Sequence, residues 1–379
     1  MTTDAGELAR WLRDTAPRWF GTSGESWDVL AAIRRAEPKL AATWLAAAAL
    51  TGDRLSDAAA AEVAAAERRQ DYYLDLLADL QRRFPGLRPI KGPAVVNCYP
   101  DGLVRHLGDL DAAVATEADA YAVGAALLAD GWRRYSLDVR LVDGRRHVLL
   151  TVTRPAEHPD EPIHGAQIGT LEMSGNLLGL PPVPRLPGHA VETRSLVSIV
   201  GERAERPYEL RDLLDALVLL RSLGRDGVAE AVRVVRAVGL DPEARELAAL
   251  LTTYAPDAPG LPLTGSSWGA SARRGARVVA GARRPDRLVA RAAAHAVAVR
   301  RGARVGEATL ALLAERAPIR WALDAGCAVS GAPLGEVAAK EVAGAAPDDV
   351  LSTPVGDWLL TLRSRPPARV RRALAEAPC

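Results

Sequence analysis

Cysteine is scarce in this chain, which has three cysteines among 379 residues. They are Cys98, Cys327 and Cys379, and their scatter fits neither a disulfide framework nor a zinc-binding spacing. Long apolar runs are also missing, since no stretch approaches the roughly 18 to 20 residues of a membrane-spanning helix. The amino terminus lacks the basic start and apolar centre of a signal peptide. These absences predict a cytoplasmic protein with no membrane partner.

Neither sign of charge is in excess, because 48 basic and 47 acidic residues leave a formal net charge of +1. This balance gives no general attraction to nucleic acid or to a membrane surface. Lysine is rare among the cations: only Lys39, Lys91 and Lys340 occur, and the rest are arginine. Where arginine is the ordinary cation, a lysine is a candidate for special chemistry, and the surrounding motif favours Lys91.

Four regions follow from the distribution of apolar periodicity, proline and glycine. Residues 1–85 have helical patterns, 86–180 contain the strand patterns, 181–263 are helical again, and 264–379 form a further helical region. The predicted fold class is therefore α+β, with a small mixed-sheet core embedded in a mostly helical protein.

The strand-containing region has clear local signals. The sequence LDAAVA, from residue 110, predicts a buried strand, and the next helix has capping-box spacing at Thr116 and Asp119. Alternating patterns on either side of the turn DGRR predict a hairpin. The sequence AQIGTLEM predicts a further strand that carries Glu172.

Two carboxylates, Asp109 and Asp111, flank the start of the first of these strands. On a strand this spacing places both side chains on one face, about 6 to 7 Å apart along the chain. Such a pair is repulsive unless a cation lies between its members, and magnesium prefers one or two carboxylates together with waters and phosphate oxygens. The pair therefore predicts a magnesium site, and Glu172 is the candidate third carboxylate.

Neighbouring residues have the chemistry to bind phosphate. Lys91 and Gly92 open a turn before a short helical piece, and a helix amino terminus attracts phosphate. Gly108 allows the backbone to approach a ligand closely. Arg105 has two open roles, a bidentate phosphate contact or a structural ion pair with the aspartates.

The run from Lys91 to Val114 has the form K-G-x-A-x4-Y-P-x4-R-x2-G-D-L-D-x2-V. It resembles the uncharacterised nucleotidyltransferase family, which belongs to the DNA polymerase β-like nucleotidyltransferase superfamily. A looser likeness extends over residues 85–225 and includes the sequence YELRDLLDALVLL. In that sequence we expect Arg211, Asp212 and Asp215 to form ion pairs on the helix surface near the cleft, and contact with the nucleotide is the alternative.

The resemblance implies a nucleotidyltransferase core that binds an NTP with two magnesium ions. The implied catalytic and metal-binding residues are Asp109, Asp111 and Glu172, and the implied nucleotide-binding residues are Lys91, Gly92, Arg105 and Gly108. The implied reaction moves a nucleotidyl group, most simply AMP from ATP, to a hydroxyl of a protein, peptide or small molecule. Pyrophosphate is released.

Two other functions stay open. Many relatives have a third acidic strand, whereas the strand HVLLTVT contains no acid, so an inactive scaffold or regulatory protein is one alternative. The other is an RNA-end nucleotidyltransferase that uses the arginine-rich segment 273–304. That segment lacks the aromatic residues on which bases stack, so nucleic acid is not the expected partner.

Overall fold

The computed structural model describes residues 4–142, 144–157, 161–172, 183, 186–203, 206–257, 259–263, 323, 329–335 and 350–361. It divides the chain into two compact units. The first unit takes residues 1–85, 89–111 and 186–270, and the second takes residues 86–88, 112–185 and 271–379. The predicted helical regions 1–85 and 181–263 therefore belong largely to one unit.

The described helices are, in chain order, α1 Ala5–Phe20, α2 Ser26–Ala36, α3 Ala41–Leu50, α4 Asp57–Arg83, α5 Pro93–Val96, α6 Glu117–Ala129, α7 Val191–Glu202, α8 Leu210–Ala237 and α9 Asp241–Tyr254. A 3₁₀ turn, Pro38–Leu40, precedes α3. The described strands are β1 Arg88–Pro89, β2 Leu110–Ala113, β3 Arg133–Val142, β4 Arg145–Arg154, β5 His164–Gly169, β6 Val329–Pro333, β7 Val350–Thr353 and β8 Gly356–Thr361. Helices and an eight-stranded sheet confirm the predicted α+β class.

The first unit is built from helices, with β1 and β2 at its chain boundaries. The alanine-rich helix α4 begins where Ser56 accepts a hydrogen bond from the N–H of Ala59. Its buried side chains include Tyr73, Leu77 and Leu80, which recur at helical spacing. Helix α7 packs on α8, and α1 packs on α3. This packing fixes the positions of the helices that carry residues of the candidate site.

The sheet has the strand order β1-β2-β5-β4-β3-β6-β8-β7. Strands β3 and β4 form the predicted antiparallel hairpin, in which Leu137 lies opposite Leu150. Helix α6 lies close to β4, because a Cβ on Gly124 would come within 2.3 Å of the Cδ2 of Leu150. A glycine at this position therefore lets helix and strand approach closely.

The carboxyl-terminal part of the chain differs from its prediction. Residues 264–379 are predicted to be helical, but the described residues of that stretch form mainly β6, β7 and β8. Strand β6 pairs with β3, so the sheet is larger than the predicted small core. Strand β6 is stabilised by backbone pairing with a strand that is distant in the chain, and a local helical pattern does not reveal such pairing. The arginine-rich segment 273–304 lies outside the described residues.

In the part of the chain that the structure describes, no helix is long and apolar enough to cross a membrane.

Helix α6 begins with the predicted capping box. The N–H of Asp119 donates to Thr116 Oγ1 at 3.1 Å, and the N–H of Thr116 donates to Asp119 Oδ2 at 3.0 Å. We expect Thr116→Ala to lower the free energy of unfolding by about 1 kcal/mol, because one of these bonds is lost. Urea-induced unfolding measures this change. Thr116→Ser keeps the hydroxyl, so an equal loss in that variant would contradict the capping role.

Candidate functional site

The first unit brings Lys91 and Asp111 together. The N–H of Ile90 donates to the carbonyl oxygen of Asp111 at 3.0 Å, which joins the Lys91 turn to β2. Lys91 Nζ consequently lies 3.3 Å from Asp111 Oδ2. These two predicted site residues are therefore neighbours in the folded protein.

Lys91 has a second acidic partner that the sequence did not indicate. Its ammonium lies 2.6 Å from Glu202 Oε1, at the last residue of α7. Burial lowers the pKa of Lys91, but the charges of Asp111 and Glu202 outweigh burial and raise the pKa above its usual range. Lys91 therefore remains charged and bridges two carboxylates. Glu202 stands outside the recognised motif, so no local signal could have identified it.

Asp111 is a buried carboxylate with other negatively charged side chains nearby. The pKa of Asp111 is raised to about 6, because burial together with the charges of Asp109 and Glu202 outweighs the opposing charge of Lys91. Any additional cation close to this carboxylate would relieve the unfavourable burial of its charge. The Asp109–Asp111 pair thus has the electrostatics of a cation-binding site.

The backbone before Asp109 is held by α4. Arg69 donates from Nε to the carbonyl of Leu107 at 2.7 Å and from Nη2 to the carbonyl of Gly108 at 2.8 Å. The hydroxyl of Tyr73 donates to the same Gly108 carbonyl at 2.9 Å. Because Arg69 and Tyr73 are buried, these bonds fix the approach to the aspartate pair.

The space above Gly108 is taken by the side chain of Lys39. A Cβ on Gly108 would lie 2.5 Å from the ammonium nitrogen of Lys39. Lys39 is in the 3₁₀ turn before α3, outside the recognised motif. The close approach expected at Gly108 therefore involves a positively charged group of the protein itself.

Gly92 has the left-handed φ of 58° that favours glycine, at the start of α5. The helix offers few free donors to phosphate, because Pro93 has no N–H. The N–H groups of Ala94, Val95 and Val96 donate to the carbonyls of Lys91 or Gly92. The predicted phosphate contact at this turn therefore depends on the Lys91 side chain.

Arg105 is engaged in a buried ion pair. Its Nε and Nη2 donate to the two carboxylate oxygens of Asp215 at 2.8 and 2.6 Å. The hydroxyl of Tyr99 donates to Asp215 as well, at 2.7 Å. This bidentate pair joins the loop before Gly108 to α8. The sequence left a structural ion pair open for Arg105, but with Asp109 or Asp111 as the partner and not Asp215. The nucleotide contact of Arg105 stays a prediction.

The expected surface ion pairs of α8 are buried instead, since Asp212 and Asp215 are 3% and 2% exposed. Arg206 donates to both carboxylate oxygens of Asp212, at 2.6 and 2.9 Å, and also to Glu202. The helix is packed on α7, so its charged residues face partners inside the unit. Arg206 thereby links the acid that holds Lys91 to the first turn of α8.

Glu172 lies in the second unit, after the end of β5 at Gly169. The predicted strand AQIGTLEM is thus shorter than expected. Glu172 is 5% exposed, and its N–H donates to the carbonyl of Val183 at 3.0 Å. Its role as third ligand stays a prediction.

Across the described residues, no group of three or more His, Cys, Asp or Glu side chains is placed to hold a metal ion. Magnesium that arrives with a nucleotide needs only one or two carboxylates, because phosphates and waters complete its shell. Asp109 and Asp111 supply two, and the raised pKa of Asp111 indicates a carboxylate that a cation would stabilise. The residues therefore fit an ion that is shared with a phosphate substrate.

No protein-family model, curated protein or solved structure matches this chain.

Proposed function

We propose that this protein is a magnesium-dependent nucleotidyltransferase. It would move a nucleotidyl group, most simply AMP from ATP, to a hydroxyl of a protein, peptide or small molecule. The observation that supports this proposal is that Lys91 lies beside Asp111, whose charge is also influenced by the nearby Asp109. Carboxylates for a metal ion and a cation for phosphate thus belong to one site, as metal-nucleotide chemistry requires.

Asp109 and Asp111 would hold the magnesium. The bound ion would neutralise phosphate charge and lower the pKa of the acceptor hydroxyl. Lys91 would face the phosphate oxygens while Glu202 keeps its ammonium in place. In the transfer, the acceptor oxygen bonds to the α-phosphorus, and the bond from that phosphorus to the bridging oxygen breaks. The hydroxyl proton passes to water, and pyrophosphate leaves.

Calorimetric titration of ATP, with and without magnesium, tests this proposal without knowledge of the acceptor. We expect magnesium-dependent binding to the wild type. We also expect Asp109→Asn/Asp111→Asn to weaken it about tenfold or more, since each carboxylate is a charged ligand. Asp71→Asn/Asp75→Asn is the matched control, because it removes two exposed carboxylates from α4.

If no NTP binds, or if the double variant binds as well as the wild type, the aspartate pair is not a metal site for ATP. That result would favour the inactive scaffold or regulatory protein, in which Lys91 serves only to pair Asp111 and Glu202. If binding is confirmed, α-labelled ATP is the probe for transfer to an acceptor. The RNA-end alternative depends on residues 273–304 and is tested by salt-dependent RNA binding.

A further inference from the structure

Two cations near the aspartates differ from the others in how they are paired. Lys91, Arg105 and Arg206 each have a carboxylate oxygen 2.6 Å away. Lys39 forms no hydrogen bond or ion pair with any residue that the structure describes. The Arg211 guanidinium has one ion pair among the described residues, with Glu209 at a distance of 3.9 Å.

The guanidinium of Arg211 has an unpaired hydrogen-bond donor among the described residues, although the side chain is largely buried. Its side chain is 15% exposed, and its Nε is buried without a hydrogen-bond partner among the described residues. A buried donor without a partner is unfavourable, particularly on a charged group. The guanidinium of Arg211 therefore has hydrogen-bonding capacity that the described residues do not use.

Glu37 holds the backbones of these two cations next to each other. Its buried carboxylate accepts hydrogen bonds from the N–H of Leu210 at 2.8 Å and from the N–H of Arg211 at 3.2 Å. Lys39 follows Glu37 by two residues. The same carboxylate occupies the first N–H groups of α8, so an anion here would be bound by side chains.

Lys39 points its ammonium at the aspartate segment, above Gly108. Partial burial of this ammonium lowers the pKa of Lys39, Asp109 raises it, and Arg211 lowers it further. The residue as a whole is exposed, so a ligand can reach it. Two like charges that influence each other in this way are stabilised by a shared anion.

We propose that Lys39 and Arg211 bind the β- and γ-phosphates of a nucleoside triphosphate, an inference that rests on the proposed function. Arginine suits two phosphate oxygens at once, and lysine acts as a point charge. The pair would remain on the pyrophosphate as the bond between the α-phosphorus and the bridging oxygen breaks. It would then stabilise the charge that develops on the leaving oxygen.

The test titrates the full chain with magnesium-ATP and, separately, with inorganic tripolyphosphate. Lys39→Met and Arg211→Gln should each weaken both ligands about tenfold or more, since each removes a charged hydrogen-bond donor. Binding of AMP, which lacks the β- and γ-phosphates, should not change. Arg225→Gln is the matched control, because Arg225 is an exposed arginine fourteen residues further along α8.

Gly108→Ala supplies a variant that keeps every charge. The added methyl group would displace the Lys39 ammonium, which is the mobile end of a flexible side chain, so the fold should tolerate it. We expect weaker tripolyphosphate binding with an unchanged melting temperature. Lys39→Arg should retain most of the wild-type affinity.

The outcomes separate this inference from the proposed function. If Lys39→Met and Arg211→Gln bind ATP and tripolyphosphate as the wild type does, the inference is overturned and the proposed function is unaffected. If the wild type binds tripolyphosphate but no nucleotide, the proposed function fails and the assignment of a nucleoside triphosphate to Lys39 and Arg211 is overturned, even where both variants lose tripolyphosphate binding. If the wild type binds neither ligand, both proposals fail.

Discussion

Asp215→Asn is expected to lower the free energy of unfolding by about 3–5 kcal/mol, because it removes one partner of a buried ion pair. Arg105 and Asp215 have side-chain exposures of 8% and 3%, so water can replace little of the lost interaction. The guanidinium would keep its charge without a counter-ion. The Tyr99 hydroxyl would lose a charged acceptor as well. Urea-induced unfolding of the full chain measures the change.

The double variant Arg105→Met/Asp215→Leu should recover much of this loss, since it leaves neither charge buried. Asp79→Asn is the control on α4, where the exposed pair of Asp79 and Arg82 should contribute less than about 1 kcal/mol. If Asp215→Asn changed stability no more than Asp79→Asn, the buried pair would not be what holds α8 to the loop before Gly108.

Lys91→Met is expected to lower the free energy of unfolding by about 2–3 kcal/mol near neutral pH. Asp111 and Glu202 would lose the cation that lies between them. The loss should be smaller than for a fully buried pair, because the Lys91 side chain is 31% exposed and water screens part of the interaction. Lys91→Arg keeps the positive charge and should retain much of the stability.

The effect of Lys91→Met should also depend on pH. The pKa of Asp111 is raised to about 6 in the folded protein. Its buried negative charge therefore destabilises the fold above about pH 6, and this destabilisation fades as the pH falls below that value. Removal of Lys91 raises this pKa further. The stability difference from wild type should therefore be larger at about pH 8 than at about pH 5. Unfolding in buffer with EDTA measures it, and a difference that grows on acidification would contradict this reasoning.

The local elements of the fold follow from short stretches of sequence. The capping box of Thr116 and Asp119 predicts the start of α6, and alternating residues around DGRR predict the β3–β4 hairpin. These signals are sufficient because caps, turns and residue periodicity act over a few neighbouring residues. The carboxyl-terminal strands were missed because β6 is stabilised by β3, which is far away in the chain.

The candidate site likewise has one part that a local stretch of sequence predicts and another that depends on long-range packing. The sequence by itself placed Lys91, Gly92, Gly108, Asp109 and Asp111 within one motif of 24 residues. Only the tertiary structure decided which distant side chains complete their surroundings, because burial makes each charge depend on whichever opposite charge the packing brings near. Those distant residues are Lys39, Arg69, Glu202, Arg211 and Asp215.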